Sequence, residues 1–566
     1  MFSYSYENLK RIIQTENGKK IFKKYEEEYE KNYKGKEIEC LKYSDYKLIY
    51  INGDRERYQK RYYEKIKRLA FLQILALGDD KYVEDLEDIL AAICDEFTWV
   101  LPAHNLLKDY TFDYTIIDLF AAERAMYLSE TVYVLGDKLS IDIKNRVKAA
   151  LKSKIIDNYE SRSFLFDKCQ HNWAAVCTCG VGVTYLYQFP ERFEKVKDRI
   201  FNAFNNYVGG IEDDGATTEG VLYWEYGFGM FSIFHDVYVG LTGDIPFTLK
   251  NHKIKKTLKF VKDAYLGDGF ILPFADGGAE GFSFNSTIYY AIKNLFGDDF
   301  APLPTIDRLY TGKALGYRLL NGVDKFGYMD DIKTENVNVF YPKTEYFINK
   351  NDNYVFVAKC GNNSEMHNHN DVGSFEIIKD KKKIFADLGA GKYTWAYHND
   401  HTENGRYGKE IFVCGSWGHS LPIVNGKPQK NNHRQDGSIY SGKVLFTDEK
   451  TFKMDIAGAY DGGVDKLEIE YILKENSVLI NYDCKNLENN VIFRFISKTK
   501  PKIIDGGVKV LGTTLISKSK INAKIEKVSY CGHDCHERQT EILDVYTIDF
   551  EIQNGGDVKE QFIIEL

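Results

Sequence analysis

The feature that most constrains this chain is a change of hydrophobic period near residue 335. Before it, apolar residues recur every three and four positions in helix-length runs at 63–77, 115–134, 142–157, 191–206 and 252–265. That spacing gathers them on one face of an α-helix. Segments 173–187 and 221–241 are apolar almost throughout, as helices enclosed by other helices are. Short breaks such as Gly78-Asp79-Asp80 and Gly243-Asp244 separate the runs. Beyond residue 335 the runs shorten and become rich in β-branched and aromatic residues, at 337–350, 354–360, 374–380, 410–416, 442–458, 466–482 and 490–498. Several alternate, and Asp-Gly or Gly-Gly pairs punctuate them, as in antiparallel strands joined by tight turns. The pattern predicts a multidomain α+β chain. A helical domain over 1–335, ending after a helical stretch at 303–320, precedes an antiparallel β-sandwich over 336–566.

A chain of 566 residues is too long for one ordinary core and suits two large domains. A net charge of −8 gives no reason to expect nucleic acid as a partner. It also supplies no bulk attraction for an acidic ligand, which would need a local site. The 41 tyrosines and 36 phenylalanines serve mostly as core, and part of them can line a ligand groove. The opening MFSYSYENLK has no apolar stretch behind a positive one, no apolar run is long enough to span a bilayer, and ten cysteines are sparse. The expectation is a reduced, cytoplasmic protein with no membrane partner.

Three motifs can carry chemistry. The first is His367-Asn368-His369-Asn370-Asp371-Val372-Gly373-Ser374, just before a predicted strand. If this stretch is extended, two histidines at i and i+2 share a face and Asn368 points away. Downstream lie Asp387 and His419. With His369 they would make a nitrogen, nitrogen and oxygen donor set that suits zinc with an open fourth position. The alternative is an ordinary hydrogen-bonded histidine at a strand edge. The second motif is Gln170-His171-Asn172-Trp173, opening an apolar helix. Asn172 suits a helix cap, and its amide can equally hold a carboxylate. The third is Glu219-Gly220-Val221-Leu222-Tyr223-Trp224-Glu225-Tyr226-Gly227, whose aromatics suit either core packing or the wall of a groove. Cys531, His533, Cys535 and His536 crowd one turn, but their spacing fits no common zinc knuckle. No phosphate-binding glycine loop, GxSxG elbow or HExxH helix occurs.

Taken in order, these segments resemble the heparinase II/III-like polysaccharide lyases across nearly the whole chain. The most specific piece is the histidine motif at 367–375. His171-Asn172-Trp173, the 219–227 motif, Thr98–His104, Ile117–Ala125 and Trp417-Gly418-His419-Ser420 follow the same pattern. The resemblance implies an incomplete (α/α) toroid followed by an antiparallel β-sandwich, and one structural Zn2+ held by His369, Asp387 and His419. It implies that Asn172 neutralises a uronate carboxylate, that Tyr226 is the catalytic tyrosine and that His367 lies in the catalytic site. Tyr223, one helical turn from Tyr226, is the competing tyrosine, and His171 is a further candidate beside Asn172. Trp99, His104, Trp173, Glu219, Trp224 and Arg406 are the candidate substrate contacts. The chain departs from the family where Ser420-Leu421 follow His419, and a second tyrosine among Tyr397 and Tyr407, near His401 and Arg406, is not fixed by the pattern.

The implied chemistry is β-elimination on an acidic oligosaccharide or polysaccharide, acting exolytically on oligosaccharides. A base takes the proton at C5 of a uronic acid and the substituent at C4 leaves. Either His367 or Tyr226 can be that base. Tyr226 suits the acid role, because a free phenol with a pKa of about 10 gives up its proton to a leaving oxygen without the assistance a base role would need. A glycoside hydrolase using Glu219 or Glu225, and a carbohydrate-binding relative without activity, are the alternative readings. A homo-oligomer is compatible with all three.

Overall fold

The computed structural model describes residues 2–105, 111–277, 280–282, 284–297, 316–326, 334–365, 367–393, 397, 411–430, 439–532 and 542–566. An N-terminal helix-rich region is followed by several antiparallel β-sheets, the fold class that the two hydrophobic periods predict. Two compact units form. The first comprises Met1–Ile211, Tyr223–Leu258 and Ser283–Ile332, and the second Glu212–Leu222, Lys259–Phe282 and Lys333–Leu566. The sheet unit thus recruits two segments that lie within the helical part of the sequence.

In the helical unit, the run at 63–77 sits inside the helix Glu56–Gly78, and that at 115–134 forms the helix Leu119–Leu135 from residue 119 onward, with residues 115–118 preceding it. The apolar 173–187 segment forms Asn172–Gln188, nearly all of it buried. Close approach of this helix to Leu119–Leu135 depends on Gly180, where an added Cβ would lie 2.2 Å from the Ala122 carbonyl oxygen. Among the described residues, no helix is long and apolar enough to cross a membrane. Of the predicted 303–320 helix, residues 303–315 lie outside the described residues. The helix Tyr317–Phe326 follows them.

The sheet unit holds sheets of eight, five and four strands, all pairings antiparallel, and a small two-stranded one. The five-stranded sheet runs in sequence order through Val337–Tyr341, Tyr346–Lys350, Val355–Lys359, Phe375–Lys379 and Lys382–Phe385. The eight-stranded sheet centres on Lys466–Lys474, Ser477–Leu487 and Gly556–Glu565. There the alternation of the sequence becomes an alternation of burial: Leu467, Ile469, Tyr471 and Leu473 face inward while their neighbours face out. Rings from all three large sheets meet in one core, with Phe356 stacked on Phe375 at 5.9 Å, Phe375 against Tyr471 at 5.4 Å and Phe495 against Phe562 at 5.2 Å.

One predicted strand is corrected. Among the described residues, 411–416 form no strand, and Ile411–Cys414 is a turn leading into the short helix Ser416–Gly418. Its apolar character comes from burial of Phe412, Val413 and Cys414 in a satellite cluster with Leu388, Tyr397 and Tyr530, which needs no strand ladder.

Candidate functional site

The site in the sheet unit begins where the core ends. Phe375 is fixed in the aromatic core, so the residues just before it are held at the sheet's edge. Tyr471 donates its hydroxyl to the Gly373 carbonyl at 2.7 Å, and the buried Lys359 ammonium pairs with Asp371 at 2.8 Å. Gln429 closes the loop from the other side. Its side chain accepts from the Val372 N–H at 3.1 Å and donates to the Val372 carbonyl at 2.7 Å, while its carbonyl accepts from Asn370 Nδ2 at 3.0 Å. Asn370 donates its backbone N–H to the Cys414 carbonyl at 2.8 Å.

The two histidines do converge, but not through an extended strand. His367 has φ +56°, so the chain turns in the left-handed region there and the period-two argument does not apply. What brings the rings together is the carboxylate of Asp276. His367 Nδ1 lies 2.8 Å from Asp276 Oδ2, and His369 Nε2 lies 3.0 Å from Oδ1. Tyr393 donates its hydroxyl to Oδ2 at 2.9 Å, and Tyr397 donates to Oδ1. The Asp276 side chain is wholly buried. It sits in the short helix Ala275–Gly277, behind Phe274, whose ring packs on Tyr346 of the five-stranded sheet at 5.3 Å. On its other nitrogen, His367 faces Glu219, with Nε2 3.9 Å from Oε1. Glu219 is delivered by a close crossing of two glycine-bearing segments, where a Cβ on Gly220 would lie 3.0 Å from the Phe274 carbonyl oxygen.

Behind His369 lies a cluster that could coordinate a metal ion. Ligand atoms of His369, Asp387 and His419 all lie within 4.8 Å of one another, and all three residues are buried. The two imidazole rings are 5.4 Å apart, centroid to centroid. His419 Nδ1 lies 3.0 Å from Asp387 Oδ2. His369 Nδ1 and His419 Nε2 are buried without a hydrogen-bond partner, an arrangement that costs free energy unless something occupies those lone pairs. Two orphaned imidazole nitrogens beside a buried carboxylate are the donor set a divalent ion takes, so the residues fit one. Burial alone would raise the Asp387 carboxyl, but the His419 imidazole beside it prevails and holds the group down at about 2. Cys414, with His369 and Asp276, makes a second cluster of ligating atoms next to the first.

The helical unit carries the other sequence-predicted residues. Asn172 is not the helix cap; His171 is, with its Nδ1 accepting from the Trp173 N–H at 3.5 Å. Asn172 follows as the first helical residue, buried, its Oδ1 3.4 Å from His171 Nδ1. His104 packs edge-on against Trp173 at 5.0 Å and pairs through Nδ1 with Asp118 at 2.8 Å. Trp99 and Trp224 are 2% exposed. Their indole N–H groups go to the Ile93 carbonyl at 2.9 Å and the Thr257 hydroxyl at 2.8 Å, which gives both a core role. Glu225 accepts the Asn285 backbone N–H at 2.8 Å. Tyr226 is 6% exposed, and Tyr223 is less buried. Arg406, with His401 and Tyr407, lies outside the described residues, as do His533, Asp534, Cys535 and His536.

Sequence reasoning missed Asp276 altogether. In sequence 91 residues separate Asp276 from His367, so no local pattern links them.

No family model matches the chain, and no curated protein matches it. Solved structures do, and they define the fold as that of the heparinase III-like and related polysaccharide lyases. A crystal structure of heparinase III superposes with a TM-score of 0.62 at 13% identity, covering 98% of this chain and 92% of that one. A mutant heparan sulfate lyase from Pedobacter heparinus gives 0.56 at 10% identity, covering 98% and 91%. The chondroitin AC lyase of Streptomyces coelicolor, in complex with chondroitin sulphate, gives 0.61 at 10% identity, covering 99% and 82%.

Proposed function

We propose that this protein is a lyase that cleaves a uronic-acid-containing glycan by β-elimination. The observation that carries the reading is the His367–Asp276 pair at 2.8 Å, set beside a metal-competent cluster in a fold of polysaccharide lyases. A histidine whose Nδ1–H is fixed on a carboxylate presents Nε2 as a proton acceptor, the arrangement a general base needs.

The step is proton removal from C5 of the uronate and departure of the oxygen at C4. The C5–H electron pair becomes the C4–C5 double bond, and the C4–O bond breaks. Charge accumulates on the carboxylate as the C5 proton leaves, and it must be stabilised there. Asn172 is the proposed donor to that carboxylate, at the start of a 17-residue helix whose N-terminal partial positive charge favours an anion. His367 is the proposed base and Tyr226 the proposed acid that protonates the leaving oxygen. Tyr226 serves as base instead on sugars of the opposite C5 configuration.

The ion proposed for His369, Asp387 and His419 is zinc, which accepts two imidazoles and a carboxylate readily. Its contribution is to fold and hold the sheet edge that carries His367. The hydrolase reading loses support from Glu225, whose carboxylate holds the Asn285 backbone.

The test is ultraviolet absorbance of the unsaturated uronate during incubation with a panel of uronic-acid oligosaccharides, for wild type and Tyr226→Phe. A rise in the wild type that is lost in the variant is the expected result. New reducing ends without absorbance would replace the lyase by a hydrolase. Binding without any product would leave a carbohydrate-binding protein.

A further inference from the structure

Four side-chain donors converge on the buried carboxylate of Asp276. Each oxygen takes one imidazole and one phenol: Oδ2 meets His367 Nδ1 at 2.8 Å and the Tyr393 hydroxyl at 2.9 Å, and Oδ1 meets His369 Nε2 at 3.0 Å and the Tyr397 hydroxyl. An ionised carboxylate offers about four lone-pair sites, and these four partners fill them.

We propose that Asp276 is the positioning residue that fixes the protons of both histidines at once. By accepting from His367 Nδ1–H it turns Nε2 of that ring toward Glu219. By accepting from His369 Nε2–H it leaves Nδ1, the orphaned nitrogen, as a lone pair toward Asp387 and His419. One buried carboxylate therefore ties the proposed base to the proposed metal centre. Histidine ligands usually hold their second nitrogen on such an outer partner, whose loss costs about 10- to 100-fold in metal affinity or activity. What is particular here is that the same partner also orients a ring that binds no metal. Tyr393 and Tyr397 complete the ring of donors around the carboxylate.

The His367 half of this assignment rests on the lyase reading; the His369 half does not. Asp276→Asn in the full chain separates them. An amide accepts through one atom only, so it can serve one ring and must face the other with N–H. Two quantities are measured: affinity for Co2+, followed by its visible absorption, and kcat and KM on the sugar that the wild type cleaves. The expected result is a loss of at least about tenfold in cobalt affinity, or of at least about a hundredfold in kcat with KM held within about threefold. Both quantities at wild-type level would overturn the proposal. A protein that cleaves no sugar yet loses cobalt affinity on this substitution would sink the lyase reading and leave the assignment of Asp276 standing.

Should the variant fail to fold, 15N-histidine spectra of the wild type answer the same question. A proton on Nδ1 of His367 and on Nε2 of His369 is expected, with resonances assigned through His367→Gln and His369→Gln. Either ring lacking that proton would overturn the proposal.

Discussion

Glu376 accepts the backbone N–H of Asp387 at 2.9 Å, and the same carboxylate oxygen pairs with the Lys383 ammonium at 2.8 Å. Both charges are buried. Glu376 therefore aims Asp387 at the histidines from the neighbouring strand. Glu376→Ala leaves a buried ammonium uncompensated, and breaking such a pair costs about 3–5 kcal/mol. Chemical denaturation of the metal-free protein should show that loss. A change below about 1 kcal/mol would mean that Lys383 finds another partner and that Glu376 does not hold Asp387.

Removal of metal should weaken the sheet unit. With His369 Nδ1 and His419 Nε2 otherwise unpartnered, an ion bound only by the folded state adds its binding free energy to stability. Chelation should lower the melting temperature by roughly 5 °C or more, and zinc should restore it. In His419→Ala the chelator should have no further effect. Equal melting curves with and without chelator in wild type would remove the metal centre.

Glu365 gives a pH signature. Burial pushes its carboxyl up to about 7, against the opposing pull of Lys359, while Asp371 adds to the rise. A folded-state value above the unfolded one contributes stability that is full below the unfolded pKa and is lost as pH rises through the folded one. The window is therefore from about 4.5 to about 7. Glu365→Gln removes this dependence, so its stability relative to wild type should improve by on the order of 3 kcal/mol across the window. Parallel stability–pH curves for the two proteins would refute the assignment.

Gln429 is the keystone of the loop that carries the histidines. Gln429→Ala strips partners from the buried Val372 N–H and carbonyl, and removes one of the two acceptors of Asn363 Nδ2, which keeps the Lys430 carbonyl. Each unsatisfied buried group costs about 1–3 kcal/mol. A loss of about 3 kcal/mol or more in unfolding free energy is expected by denaturant titration, together with weaker cobalt binding. Wild-type cobalt affinity in a folded variant would show that the loop holds its shape without Gln429.

The two hydrophobic periods made the fold class legible, because burial on one face of a helix or strand writes itself directly into residue order. His369, Asp387 and His419 were legible too, since imidazoles and a carboxylate are conspicuous near a strand edge. What was hidden has a common cause. The turn at His367 depends on a positive φ that non-glycine residues seldom advertise. The capping of helix Asn172–Gln188 by His171 is one residue off the expected place, because an imidazole nitrogen took the role usual for an amide or hydroxyl. Trp99 and Trp224 read as groove residues only until their indole N–H groups are traced to the Ile93 carbonyl and Thr257. Asp276 depends on a contact 91 residues long in sequence, and such contacts leave no local trace.

The sheet unit takes Glu212–Leu222 and Lys259–Phe282 from the midst of the helical sequence, and this limits how the gene can be cut. A coding fragment that starts at residue 333 would supply His367, His369, Asp387 and His419 but neither Asp276 nor Glu219. During synthesis Asp276 emerges first and waits for its histidines. The sheet unit of this protein is therefore no transferable cassette, and exchange between relatives would have to move the chain from Glu212 onward as one inheritance.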